Sequence, residues 1–259
     1  MPSDKCAKWL AEITEVLRAQ RLTPAHAQKL AGRLSWGATA VFGKGARVYL
    51  APLFRHSAGR STRISKRLRF ALLWWQRFLN SQPSRAVPLS PSVKPRLVVY
   101  TDASGAGVLA WVAVLAGRKF FASAPVPGWL ARWACPRQQQ IHTWELVAAV
   151  CALWHFFSLP EGVAGLDVVI FIDSTVALGT LLRGCSRQRD WNAMVAGMWF
   201  AAADRRHFLS AFRVPSHLNL ADWPTRLEQK ASELAQLVSR GFARLEWAWP
   251  AVDFWQQRR

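Results

Sequence analysis

The sequence predicts an α/β fold: a mixed five-stranded sheet with helices on its faces, preceded by a small helical domain. Three observations predict it. Up to residue 80 the apolar residues recur at helical spacing. Four prolines (Pro83, Pro88, Pro91, Pro95) then crowd the stretch between Gln82 and Arg96, a composition that extends the chain and cannot continue a helix. Beyond them strands alternate with helices in the order βββαβαβα. The resulting division is a basic helical segment at 1–80, a Pro-rich linker at 81–95, the α/β domain at 96–246 and a C-terminal tail at 247–259. A chain of 259 residues, 51% hydrophobic, has enough apolar surface to bury a sizeable core.

Each element has a local reason. Cys6, Trp9, Leu10, Ile13, Val16 and Leu17 form one apolar stripe, so residues 6–17 read as a helix. A second helix opens at Thr23, an N-cap residue, with Pro24 in the first helical position. Gly43, Gly45 and Pro52 break the pattern, and ISKRLRFALLWWQRFLN supplies a third helix with one apolar and one basic face. RLVVYTD, VLAWVAVL and FFASAPV, separated by the turns SGAG and AGRK, read as an antiparallel meander. QQQIHTWELVAAVCALWHFF follows as a long helix. Then come LDVVIFID as a strand, STVALGTLLRG as a helix, and a further helical stretch around 187–204. FLSAFRVP is the last strand, and LADWPTRLEQKASELAQLVSR reads as one closing helix. Trp74, Trp75, Trp111, Trp144 and Trp154 fall on core faces, where packing is their expected role.

Charge narrows the function classes. The formal net charge is +19, a surplus suited to a polyanion, nucleic acid before an anionic membrane. It is uneven: residues 1–96 hold 18 Lys and Arg against 3 Asp and Glu, the remainder 16 against 12. The first segment therefore reads as a nucleic-acid-gripping or connecting module, with Arg63, Lys66, Arg67 and Arg69 as its phosphate contacts. Four dispersed cysteines without a C-x-x-C pair and six histidines outside zinc spacing suggest neither a disulfide framework nor a zinc site. An intracellular compartment, cytoplasmic or nuclear, is the expectation. No segment reads as a signal peptide or a membrane span, so no membrane partner is expected.

Four of the fifteen acidic residues fall at element ends that can converge. Asp102 closes the first strand and Asp173 the fourth; if these strands are parallel neighbours, both carboxylates emerge at one sheet edge, where such folds bind ligands. Glu145 lies in the first turns of the helix after the meander, within an otherwise apolar segment where an unpaired charge is costly. Asp222 lies near the start of the last helix. Clustered carboxylates repel one another unless cations or protons intervene, and oxygen-only donors select Mg²⁺ or Mn²⁺. Two such ions suit phosphodiester hydrolysis.

YTDASGAGVLAWV, IHTWELVAAV, FIDSTVAL and NLADWPTR together resemble the four acidic blocks of the ribonuclease H domain of retroelement reverse transcriptases. The closing N-x-A-D-x-P-[ST]-R pattern is most similar to elements of the DIRS, tyrosine-recombinase type. Upstream, AQKLAGRLSWGATAVFGKGARVYLAPLFRH is similar to the thumb and connection segment of those proteins. The resemblance implies a ribonuclease H-like fold, with Asp102, Glu145, Asp173 and Asp222 as ligands of two Mg²⁺ ions and Asp102 bridging both. It implies cleavage of the RNA strand of an RNA/DNA hybrid. It also places His217 where a loop histidine assists product release, although PSHLNLAD is a shorter loop. No Y-x-D-D motif is present, so a polymerase would lie in a separate or longer chain. Two alternatives remain open: a non-catalytic nucleic-acid-binding module of retroelement origin, or a transposase or exonuclease on the same fold. Ala103 and Ser104 after Asp102 depart from the D-x-E of proofreading exonucleases.

Overall fold

The computed structural model describes residues 2–41, 46–80, 96–159, 165–226, 229–251 and 254–255. The proposed 81–95 linker and the glycines at 43 and 45 lie outside them. The chain divides into two compact units, Met1–Leu89 and Ser90–Arg259.

Among the described residues the first unit contains four helices: α1 (Ser3–Ala19), α2 (Pro24–Val41), α3 (Arg47–Ser57) and α4 (Lys66–Asn80). Cys6, Trp9, Ile13 and Val16 form the buried stripe of α1, and Leu68, Ala71, Leu72, Trp75, Phe78 and Leu79 that of α4. Trp75 is fully buried and its indole N–H donates to the Tyr49 carbonyl at 3.3 Å. Sequence reasoning missed α3 by treating Pro52 as a breaker. The helix holds because Tyr49, Leu50 and Leu53 are buried on one face, and that packing outweighs one missing backbone hydrogen bond. The loops are tied by Leu22 N–H donating to the Thr62 carbonyl at 2.7 Å and by a bridge between Arg21 and Arg63.

The second unit is built on a mixed sheet: β1 (Arg96–Ala103), β2 (Val108–Leu115), β3 (Arg118–Pro125), β4 (Asp167–Ile172), β5 (Phe208–Arg213) and β6 (Ala243–Arg244). Its order is β5-β4-β1-β2-β3-β6. The meander is antiparallel as expected, while β4 lies parallel to β1 and β5 parallel to β4. Gly107, at φ +78°, gives the β1–β2 turn a backbone that other residues rarely adopt. The expected five strands are joined by a sixth, the two-residue β6, which adds parallel to β3 and is too short to leave a periodic signal.

The helices of this unit are α5 (Gly128–Trp133), α6 (Ile141–Phe157), α7 (Thr175–Arg183), α8 (Arg189–Asp204), α9 (Asp222–Thr225) and α10 (Ala231–Ser239). Leu97, Val99, Trp111, Val168, Ile170 and Ile172 turn one sheet face to α6, which is buried along nearly its whole length. Trp75 and Trp111 are buried, while Trp144 and Trp154 pack at the core margin. On the opposite face Val112 and Phe121 meet Ala221 and Leu237. The closing helix read from sequence is two short helices, α9 and α10. Pro224 sits inside the four residues of α9, and Arg226 leaves helical geometry behind it.

Trp247, Trp249, Phe254 and Trp255, which the sequence places in a tail, pack into the core of α6 and α8. A Cβ added to Gly197 of α8 would lie 2.4 Å from Phe254 Cε2, so the ring fits only because residue 197 has no side chain.

Candidate active site at the carboxyl edge of the sheet

The register of β1 and β4 creates the site. Thr101 pairs with Ile172, so one residue further on Asp102 and Asp173 leave adjacent parallel strands on the same side. That side faces away from α6 and toward α9, whose first residue is Asp222.

Asp102 is 6% exposed, and Thr225 Oγ1 donates to its Oδ2 at 3.0 Å. Burial, then the charge of Asp173, and to a lesser degree that of Asp222, push its carboxyl up to about 7; the Thr225 hydroxyl opposes the shift. A rise of that size from 3.8 corresponds to roughly 4 kcal/mol disfavouring the charged form. Asp102 therefore takes up a proton below about pH 7 unless a cation beside it stabilises the charged form.

Asp173 accepts from Ser216 Oγ at Oδ2, 3.2 Å away, while its Oδ1 is buried and has no hydrogen-bond partner. Asp222 pairs with Arg226 Nε at 2.9 Å. The segment carrying Asp222 is pinned to β1 by Asn219, 2% exposed, whose Nδ2 donates to the Thr101 carbonyl at 3.0 Å. Asn219 Oδ1 accepts from Ala221 N–H at 3.2 Å. The Asn, Thr and Arg of the N-x-A-D-x-P-[ST]-R pattern thus each have a mechanical role around Asp222. Sequence reasoning noted the pattern and selected only its aspartate.

Glu145 lies on the second turn of α6 and is engaged by His142, Nδ1 to Oε2 3.2 Å. The charges of Asp173 and Asp222 therefore both act on Asp102, whereas Glu145 is held by its own helix neighbour. His217 is exposed on a short 3-10 turn, Ser216–Leu218, next to the serine that contacts Asp173. Arg63 is exposed before α4, and Lys66, Arg67 and Arg69 are exposed in its first two turns.

Among the described residues, no three His, Cys, Asp or Glu side chains are gathered closely enough to enclose a metal ion as they stand. The donor set nevertheless fits a hard divalent cation: it is oxygen-rich, one carboxylate oxygen is buried without a partner, and a second carboxyl is driven toward protonation by burial and then by its acidic neighbours. No helix among the described residues is long and apolar enough to cross a membrane.

No known family profile matches the chain, and no curated protein matches it. Among solved structures it is similar to a foamy viral protease-reverse transcriptase in complex with double-stranded DNA, at 16% identity and a TM-score of 0.30. That alignment takes in 79% of this chain and 34% of the viral one, so the chain spans about a third of its length.

Proposed function

We propose that the chain is a metal-dependent endonuclease of the ribonuclease H type, cutting the RNA strand of an RNA/DNA hybrid. It would be part of, or derived from, a retroelement reverse transcriptase of the DIRS type. The observation that carries this reading is Asp102, buried at the carboxyl edge of two parallel strands with Asp173 and Asp222 acting on it.

Asp102, Asp173, Asp222 and Glu145 would hold two Mg²⁺ ions, with Mn²⁺ as a substitute. The ions would supply an activated water and stabilise the leaving oxygen. The remaining work falls to the chain. Thr225 orients the Asp102 carboxylate. Ser216 occupies one oxygen of Asp173 and leaves the other for a ligand. Arg226 restrains Asp222 and moderates its charge. His217, exposed beside Ser216, would assist departure of the cleaved product.

Arg63, Lys66, Arg67 and Arg69 would grip phosphates of the hybrid without reading bases. A polymerase domain in a separate or longer chain would deliver that hybrid. The test is incubation with a labelled RNA/DNA hybrid, single-stranded RNA and duplex DNA, with and without Mg²⁺. Metal-dependent cutting confined to the RNA of the hybrid is expected; none, from a folded chain, would refute the reading.

A further inference from the structure

We infer that the outward stripe of α4 binds single-stranded nucleic acid, with Phe70 stacking on a base between phosphate contacts made by Lys66, Arg69 and Arg77. The inference rests on the reading of the α4 cations as phosphate contacts and adds a second chemistry, one that a duplex does not satisfy.

The stripe follows from the helix. α4 turns Leu68, Ala71, Leu72, Trp75, Phe78 and Leu79 inward. At about 3.6 residues per turn, Lys66, Arg69, Phe70, Leu73 and Arg77 then share the opposite side, and all five are exposed. Cations stand at both ends of this stripe and apolar side chains between them. Phe70 is 40% exposed and Leu73 37%, a placement that water alone does not favour.

The Phe70 ring is backed by others. It lies 6.3 Å from Tyr49 of α3, centroid to centroid; Tyr49 is buried and stacks on Trp74 at 4.1 Å, and Trp74 stacks on Phe78 at 4.9 Å. A ring supported in this way loses little freedom when a flat ligand covers its outer side.

Charge decides the kind of ligand. Residues 46–80 hold eight Lys and Arg and no Asp or Glu. The carboxylates of the first unit are Asp4, Glu12 and Glu15, all on α1, where Glu12 pairs with His26 and Arg33 and Glu15 with Arg18. The stripe is thus open to an anion. An acidic peptide would meet the cations but offers Phe70 no series of flat faces. A membrane surface calls for a continuous apolar helix face, and that of α4 is spent in the core. Nucleic acid supplies an anion and a ring at every repeat. In a duplex those rings cover one another, whereas a single strand leaves them free to stack on an aromatic side chain. Stacking is indifferent to base identity, so sequence is still not read.

The experiment uses the full chain in EDTA, with fluorescence anisotropy of a labelled single-stranded oligothymidylate and of an abasic strand of equal length. Their phosphates match and only one carries bases. The native chain should bind the thymidylate strand about tenfold more tightly. Phe70→Leu, apolar but without a π face, should lose that preference and leave abasic binding unchanged, and Phe70→Trp should keep it. Equal affinities in the native chain that weaken with salt overturn the stacking inference and leave the phosphate reading standing. Salt-independent binding, or none, overturns both. A base preference that persists in Phe70→Leu removes the platform from α4. Tighter binding to phosphatidylserine vesicles than to the thymidylate strand, at equal anion concentration, overturns the inference in favour of a membrane surface.

Discussion

Thr225 and Asp102 are 123 positions apart in the chain, and the hydroxyl of one donates to the carboxylate of the other at 3.0 Å inside the protein. With the bond from Asn219 to the Thr101 carbonyl, this contact ties the last acidic block to the first. Thr225→Val keeps the shape and removes the donor, so Asp102 loses its orienting partner. Cleavage of the hybrid should fall by roughly tenfold while Thr225→Ser stays near the native rate, measured under single turnover.

Asp102→Asn separates stability from activity. Removing a buried charge that Asp173 and Asp222 oppose should raise the melting temperature in EDTA at pH 8 by roughly 2–6 °C. The same variant should lose most of the melting increase that Mg²⁺ gives the native chain, and cleavage should drop by orders of magnitude. Native activity in Asp102→Asn would sink the proposed function.

Much of this site was legible in the sequence, because strand ends and carboxylates are local features. Asp102 and Asp173 follow apolar runs, and parallel pairing of those runs carries both to one edge. Thr225, Asn219 and Arg226 were harder. Their importance lies in contacts with Thr101, Asp102 and Asp222 that only the folded chain creates. The fold was misread where packing overrode local signals. Pro52 sits within α3, and β6 is two residues long. The division of the closing helix into α9 and α10 was hidden by continuous apolar periodicity.

His207 sets an acid limit on stability. Its Nδ1 accepts from Leu166 N–H at 3.0 Å and its ring lies 4.5 Å from Phe157, centroid to centroid. Burial, and then the charge of Arg205, lower its pKa from 6.5 to about 4. The unfolded chain therefore takes up this proton first. The His207 contribution to stability is full above about pH 7 and is lost as pH falls from about 6.5 to about 4, whereas the raised Asp102 carboxyl acts in the opposite sense over the same range. The melting temperature of the native chain minus that of His207→Asn, which keeps an acceptor and has no titrating group, should therefore fall as pH drops through that range.

The basic segment has a salt signature. Replacing Arg63, Lys66, Arg67 and Arg69 together by alanine should weaken hybrid binding and flatten the dependence of log affinity on log salt. Each lost phosphate contact removes about 0.9 from the slope on B-form DNA, with a similar order on a hybrid. Equal slopes for the native and fourfold variant chains would remove these residues from the substrate grip.

Gly197→Ala tests the seat of Phe254. The added methyl would meet the ring at 2.4 Å, inside any real contact distance, so the buried ring must move. A loss of roughly 1–3 kcal/mol is expected from chemical denaturation. Phe254→Leu in the same chain should recover part of it, which distinguishes overpacking from a change in helix propensity.

That seat also sets an order of events during synthesis. The sheet and α8 leave the ribosome before the segment carrying Phe254 and Trp255. Until that segment arrives, the groove at Gly197 stands open, and the emerging unit displays an apolar strip that chaperones can bind. Arrival of the two rings closes the strip. A message shortened by a few codons before residue 254 would thus leave every acidic ligand in the product and still send it toward aggregation or degradation.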